Sequence, residues 1–294
     1  MLFGYGKKIE YSFLIPNSSC FTFELVMASI IFTGLDGTLL PSENVDYEPV
    51  LAAIEQLQQH NIPLIPVTNN TRAEVEELRR KIGWNTPFVV ERGSGIFIPQ
   101  GNTDFNLAET EIKDNYHFYQ LGCTYTEARA ALKAVQEEIS KILRGFGDLD
   151  EENIQTIKGI SPAAARRAKS REFSEYFLTP NRLDITQLQT VAEEYGFKII
   201  PEGKLSLVMG GNADSRKAIT WLKKNYQLNS SDKITTVGIG STQQDSSLLE
   251  SVDIPIVVPT AEGVEPSFAE RNWEVVADTG RQGWINAIAK IIQH

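Results

Sequence analysis

Three short stretches concentrate the residues that could do chemistry: Gly34-Leu35-Asp36-Gly37-Thr38, Thr68-Asn69-Asn70-Thr71-Arg72 and Gly240-Ser241-Thr242-Gln243-Gln244-Asp245. Each lies where an apolar run gives way to polar residues, and in open parallel sheets the carboxyl ends of strands are where ligands bind. Thr68 could hold a phosphate through its hydroxyl and the first amides of the following helix, because a helix N-terminus favours anions. Taken singly, such a threonine is equally an ordinary helix cap, and Asp36-Gly37-Thr38 an ordinary turn. At three strand ends in this order they point to one shared site. A further basic stretch, Arg166, Arg167, Lys169 and Arg171, reads either as a solvated face or as a wall turned toward an anion. Cys20 and Cys123 are too few for a disulfide framework or a zinc site, and His60, His117 and His294 are scattered.

The elements needed to position these residues follow from hydrophobic periodicity. Residues 29–35 (SIIFTGL) read as a buried strand, 49–61 as an amphipathic helix with Val50, Leu51, Ile54 and Leu57 inward, and 62–70 as a second strand. A helix over 71–83 is stopped by Gly83, and 87–99 reads as a strand followed by a hairpin. The last third repeats the alternation, with helix 215–227, strand 233–241, short helix 246–252, strand 254–258 and closing helix 283–293. Strand–helix alternation implies a parallel sheet with right-handed crossovers. Residues 108–204 read differently, as an inserted α+β unit with a helix-rich stretch over 126–147. The expected division is therefore a tail or over-extended start at 1–26, a core of 27–107 and 205–294, and an insert of 108–204. A length of 294 residues suits this division. The 28 basic against 38 acidic residues give a net charge of −10, which argues against a general nucleic-acid or anionic-membrane surface. Cysteine usage suggests a reducing, cytoplasmic setting, and the interrupted apolar residues near the start do not suit a membrane span.

From about Ser29 to the carboxyl terminus the chain resembles the haloacid dehalogenase-like phosphatases, and among them the mannosyl-3-phosphoglycerate phosphatase branch with a type IIB cap. The resemblance rests on FTGLDGTLL, VTNNTRAEVEELRRKIG, PFVVERGSGIFIP, REFSEYF, GGNADSRKA, GIGSTQQDSSLLE and RQGWINAI. It implies a Rossmann-like α/β core with an inserted cap, an aspartyl-phosphate mechanism and a magnesium ion. By the same resemblance Asp36 stands in the general acid/base position and contributes its backbone carbonyl to the metal. Thr68, Asn69 and Arg72 in the core, and Arg171, Ser174, Glu175 and Lys204 in the cap, match substrate-binding positions.

The departures from that pattern fall on the catalytic residues. The nucleophile position holds Gly34, the lysine position of the third motif holds Ser215, and the first metal aspartate of the fourth motif is replaced by Ser241, leaving Asp245. Arg216 and Lys217 lie next to Ser215, but one residue along a helix rotates a side chain by about 100°. Gln244 replaces an asparagine, Arg92 the asparagine of a Glu-Asn-Gly motif, Asn70 a frequent lysine, Tyr176 a proline and Lys204 a frequent arginine. Magnesium needs oxygen ligands that include one or two carboxylates. The expectation is thus a pseudo-phosphatase with no metal or weakly bound Mg2+, binding a phosphorylated small molecule or a protein partner. A slow Mg-dependent phosphatase and a non-catalytic scaffold are the alternatives.

Overall fold

The computed structural model describes residues 29–39, 47–181, 184–227 and 234–293. The expected tail at 1–26, with Cys20, and His294 lie outside the described residues. In chain order the strands are β1 (Ser29–Thr33), β2 (Leu64–Pro66), β3 (Phe88–Val90), β4 (Gly95–Pro99), β5 (Glu111–Lys113), β6 (Tyr116–Gln120), β7 (Ser174–Leu178), β8 (Phe197–Glu202), β9 (Leu205–Gly210), β10 (Thr235–Gly240), β11 (Ile254–Val257) and β12 (Glu274–Val275). The helices are α1 (Glu48–Gln59), α2 (Arg72–Ile82), α3 (Tyr125–Ile139), α4 (Glu151–Lys158), α5 (Pro162–Lys169), α6 (Ile185–Glu194), α7 (Ser215–Asn225), α8 (Ser246–Leu249), α9 (Pro266–Ala269) and α10 (Gly280–Gln293).

The central sheet runs β12-β11-β10-β1-β2, all parallel, with Thr33 level with Ile239 and Pro66. A strand covered on both faces is a continuous apolar run, and every residue of β1 is buried. A parallel bridge from Val67 to Val89 leads into a second, antiparallel sheet, β3-β4-β6-β5. Helix α1 buries Val50, Ala53, Ile54 and Leu57. Leu51, expected inward, is 36% exposed because it stands a third of a turn from Val50. Helix α2 opens on a reciprocal capping box between Thr71 and Glu74 and ends at Gly83, whose φ of 65° is left-handed. The apolar face of α10 packs on α1, and the indole Nε1 of Trp284 donates to Thr33 Oγ1 (3.0 Å), fixing the tip of β1. This role accounts for the buried tryptophan of the late RQGW segment.

The cap is built on the sheet β7-β9-β8. Helices α3 and α6 cover one face, packing Leu132, Val135, Leu188 and Val191 with Phe177 of β7. On the other, Phe146, Ile154 and Ala165 pack with Tyr176, Leu207 and Met209. Strand pairing crosses both expected limits of the insert: the β5–β6 hairpin pairs with β4 of the core, and β9 pairs with β7 and β8. By these ladders residues 111–120 join the sheet of β4, and residues 205–210 join that of β7 and β8. In the helix-rich stretch expected over 126–147, α3 ends at Ile139, where Ser140 turns left-handed at φ 52°. Among the described residues no helix is long and apolar enough to cross a membrane.

Candidate functional site

The tips of β1 and β10 meet at the first candidate residues. Gly34 N donates to Ile239 O (2.8 Å), and its carbonyl accepts from Thr33 Oγ1 and Thr38 Oγ1 (2.8 Å each). A side chain at position 34 would put its β-carbon 2.3 Å from Asp245 Oδ1 and 2.7 Å from Asp245 Cγ. The Asp245 carboxylate thus fills the space beside Gly34. It is held there by Ser241 N (2.8 Å), Thr242 N (3.0 Å) and Thr242 Oγ1 (3.3 Å), all donating to Oδ2. Ser241 is fully buried and donates its hydroxyl to Val258 O (2.6 Å). Burial pushes Asp245 up to about 6, against the pull of the Ser241 and Thr242 donors and of Arg92. Asp36 is pushed up to about 7, first by burial and then by the negative charges of Asp245 and Glu74, so it holds a proton near neutrality.

The second loop is tied to the fourth motif and to the cap. Thr68 Oγ1 accepts from Asn70 N (3.2 Å) and Asn70 Nδ2 (3.0 Å), and Asn69 Nδ2 donates to Gln244 Oε1. Asn69 O accepts from Arg171 Nη2 (3.2 Å). Arg72 is already engaged: Nε donates to Glu172 Oε1 (2.7 Å), Nη1 to Asp114 Oδ2 (2.6 Å), and the guanidinium lies over Phe97. It joins cap to core. The buried Glu91 accepts from Glu172 N (2.8 Å), Phe173 N (3.1 Å) and Ser174 Oγ, and faces the buried Arg171 at 3.4 Å. Arg171 also donates to Ser174 Oγ (2.8 Å).

Other expected residues lie elsewhere. Ser174 and Tyr176 are on the face of β7 toward Arg171 and Glu202, and successive residues of a strand point oppositely. Glu175 therefore turns to the α3 side, where it accepts from Arg129 Nη1 (2.9 Å) and Gly147 N (2.8 Å), so its expected substrate role is not supported by its position. Lys204 is exposed in the β8–β9 turn, its carbonyl accepting from Thr179 N (3.0 Å). Ser215 opens α7; Arg216 pairs outward with Glu250 (2.9 Å), and Lys217 is exposed, so neither neighbour replaces the lost lysine. Of the basic stretch, Arg166 pairs with Glu151 at the surface, Lys169 donates to Leu149 O, Arg167 accepts from Thr71 Oγ1 through its carbonyl (2.9 Å), and Arg171 is turned to the core.

Three residues not chosen from sequence reach this region. Arg92 donates from Nε (3.1 Å) and Nη2 (2.5 Å) to Glu202 Oε1, and Tyr176 donates its hydroxyl to Glu202 Oε2 (2.8 Å). Lys198 Nζ donates to Ala213 O, just before α7. Lys198 and Glu202 share a face of β8 by the two-residue period, which is the signal that could have singled them out.

The donor set does not fit the magnesium ion that the resemblance implies. Position 34 has no side chain, the Ser241 hydroxyl is directed to a carbonyl, and one oxygen of Asp245 already accepts three hydrogen bonds. Among the described residues no group of three or more His, Cys, Asp or Glu could hold a metal.

A parallel sheet with polar strand tips and an inserted α+β cap defines a capped Rossmann-like α/β protein, and the sequence places it further. Residues 31–264 match the haloacid dehalogenase-like hydrolase family, to which the chain belongs. It is 32% identical over 266 residues to a glucosyl-3-phosphoglycerate/mannosyl-3-phosphoglycerate phosphatase of Persephonella marina, covering 90% of this chain and 97% of that one. It is 31% identical over 232 residues to the mannosyl-3-phosphoglycerate phosphatase of Pyrococcus horikoshii, covering 79% and 91%. The fold is that of the sucrose-phosphatase from Synechocystis, solved with sucrose and phosphate, at a TM-score of 0.57 and 15% identity, covering 90% of this chain and 98% of that one. The chain is thus a phosphatase-family protein related to the mannosyl-3-phosphoglycerate phosphatases.

Proposed function

We propose that this protein is a cytoplasmic pseudo-phosphatase that binds a phosphorylated metabolite without efficient turnover. The observation that carries this reading is the Asp245 carboxylate lying where the side chain of a nucleophile at position 34 would begin. Phosphoryl transfer depends on positioning and on neutralising charge, and a missing nucleophile together with an unsuitable metal site removes both. Asp36 keeps the acid/base position, but a proton donor alone has no attacking group to serve. The names of the relatives support a ligand that joins a sugar to 3-phosphoglycerate. Among the residues that would face it are Thr68, Asn69, Arg171 and Ser174.

The test is phosphate release from glucosyl- and mannosyl-3-phosphoglycerate and from an aryl phosphate, with magnesium, in the wild type and in Asp36→Asn. The expected result is no release above the variant. Release that needs both Asp36 and magnesium would establish the slow phosphatase instead. No release, with no gain in stability on adding the conjugates, would leave a scaffold.

A further inference from the structure

The lost lysine leaves a place to be examined for charge, and two cations bracket it. Residues Glu91, Arg92 and Gly93 are all left-handed, at φ of 48°, 58° and 84°. A β-carbon on Gly93 would stand 2.3 Å from Asp214 C and 2.4 Å from Ser215 N, so this turn lies directly on the start of α7, where the lysine position is. Arg92 is the middle residue of the turn, and its side chain is 18% exposed. From the other side, the half-buried Lys198 brings its ammonium to Ala213 O, two residues before Ser215. The charge of Arg92 acts on both Lys198 and Asp245, so both lie within its field.

Arg92 is matched by one internal anion. Glu202 presents one oxygen to the guanidinium fork and the other to Tyr176, with its side chain 17% exposed. A phosphate monoester offers the same recognition: oxygens that accept from a guanidinium fork and a neutral hydroxyl. Glu202 is the last residue of β8 and its carboxylate is held through side-chain hydrogen bonds to Arg92 and Tyr176, so releasing it breaks no bond of the strand ladder. Its charge also adds to the negative field on Asp36.

We propose that Glu202 is an internal occupant of a metal-independent anion site, and that a phosphate monoester displaces it to bind Arg92 and Lys198. This inference rests on the non-catalytic reading above and names the groups that would hold the phosphoryl end of the ligand. The ligand exchanges one carboxylate for a phosphate dianion, so the second cation, Lys198, is needed alongside Arg92.

Calorimetric titration with glucosyl-3-phosphoglycerate and with inorganic phosphate, each in EDTA and in magnesium, tests it. The wild type is expected to bind the conjugate with a Kd that changes less than about twofold between the two conditions. Arg92→Asn, a residue that tolerates the left-handed backbone, should weaken binding by at least about tenfold, as loss of a charge-assisted contact does. Lys198→Met should weaken it by a few-fold. Glu202→Gln should tighten it by a few-fold, since the competitor is removed while its shape remains. Thermal melts of each variant show that it is folded, and Lys198→Met and Glu202→Gln keep the test intact if Arg92→Asn does not fold. Binding that needs magnesium, no binding by the wild type, or affinity unchanged in folded Arg92→Asn and unmoved in Glu202→Gln overturns the proposal. Phosphate release by the wild type would defeat the non-catalytic reading, and it is a separate readout from these affinities.

Discussion

Restoring a side chain at position 34 should destabilise the protein through one identifiable neighbour. The backbone of Gly34 is not left-handed, so alanine is conformationally allowed and only space is at issue. Its methyl would lie 2.3 Å from Asp245 Oδ1, and an ordinary carbon–oxygen contact is roughly 3.3 Å. The carboxylate must withdraw by about 1 Å, which strains the hydrogen bonds from Ser241 N and Thr242 N. Hydrogen bonds to a charged acceptor contribute about 1.5–3 kcal/mol each. Partial loss of two gives about 3 kcal/mol for Gly34→Ala. In an Asp245→Ala background those bonds are already gone and the obstacle with them, so the same alanine should cost less than about 1 kcal/mol. The expected coupling is about 2 kcal/mol, measured by guanidinium denaturation of the four proteins with unchanged slopes. Equal costs in both backgrounds would refute the reasoning. By the same logic Gly34→Asp, which adds a second carboxylate beside Asp245, should be less stable still and should not gain phosphatase activity. The triple change Gly34→Asp, Ser215→Lys, Ser241→Asp must also dislodge Asp245, so its recovery depends on more than the three side chains.

Further outcomes follow from the same contacts. Asp36 titrates near 7 in the fold against an ordinary value of 3.8, so the folded state binds its proton more tightly; that contribution is full below about pH 4 and is lost as pH rises through 7. At 1.36 kcal/mol per unit the loss is at most about 4 kcal/mol, reduced by the group's partial exposure, and Asp36→Asn should be more stable than the wild type at pH 8 but not at pH 4. Identical pH profiles of stability would exclude it. Glu91→Gln leaves Arg171 buried without its counter-charge and should cost about 3–5 kcal/mol, with faster hydrogen exchange at residues 172–174; a loss under 1 kcal/mol would show that the pair does not hold cap to core. Trp284→Phe removes the indole donor to Thr33 and should lower stability by about 1 kcal/mol, read from the midpoint of unfolding.

What the sequence disclosed depended on whether the signal was local. Helix α2 was legible because its start, Thr71 with Glu74, and its stop, Gly83, are both carried by neighbouring residues. Strand β1 was legible because burial on both faces leaves only apolar residues. The sheet to which the β5–β6 hairpin and β9 each belong was not, since it is set by long-range pairing and not by composition. The positions of Gly34, Ser241 and Asp245 could be read from motif spacing, but not that Asp245 would lie against Gly34. That Glu175 and Ser174 part company was not legible from their adjacency: one step along a strand turns Glu175 to the opposite face. Lys198 and Glu202 share a face of β8 by the two-residue period, but Arg92 meets them only when the cap docks, so no local pattern joins all three.

Charge balance ties these changes together. On the non-catalytic reading, and relative to the pattern implied by the related phosphatases, replacing the nucleophile and the metal aspartate removes two negative charges, while losing the lysines at the positions of Ser215 and Asn70 and a divalent ion removes four positive ones. The cleft is left with two positive charges too few, beside Asp36 and Asp245, whose raised pKa values already register crowding and burial. Arg92, standing where the pattern has a neutral asparagine, restores one of them, and it does so on a turn pressed against the start of α7. A cleft kept only as a remnant has no need of this, because protonation of either aspartate would relieve the same imbalance. Retaining a guanidinium there, engaged by a carboxylate at the end of a strand, is useful to a site that must exchange one anion for another. This favours ligand binding over a purely structural role, and it makes the Arg92–Glu202 pair, more than the lost nucleophile, the feature that separates the two.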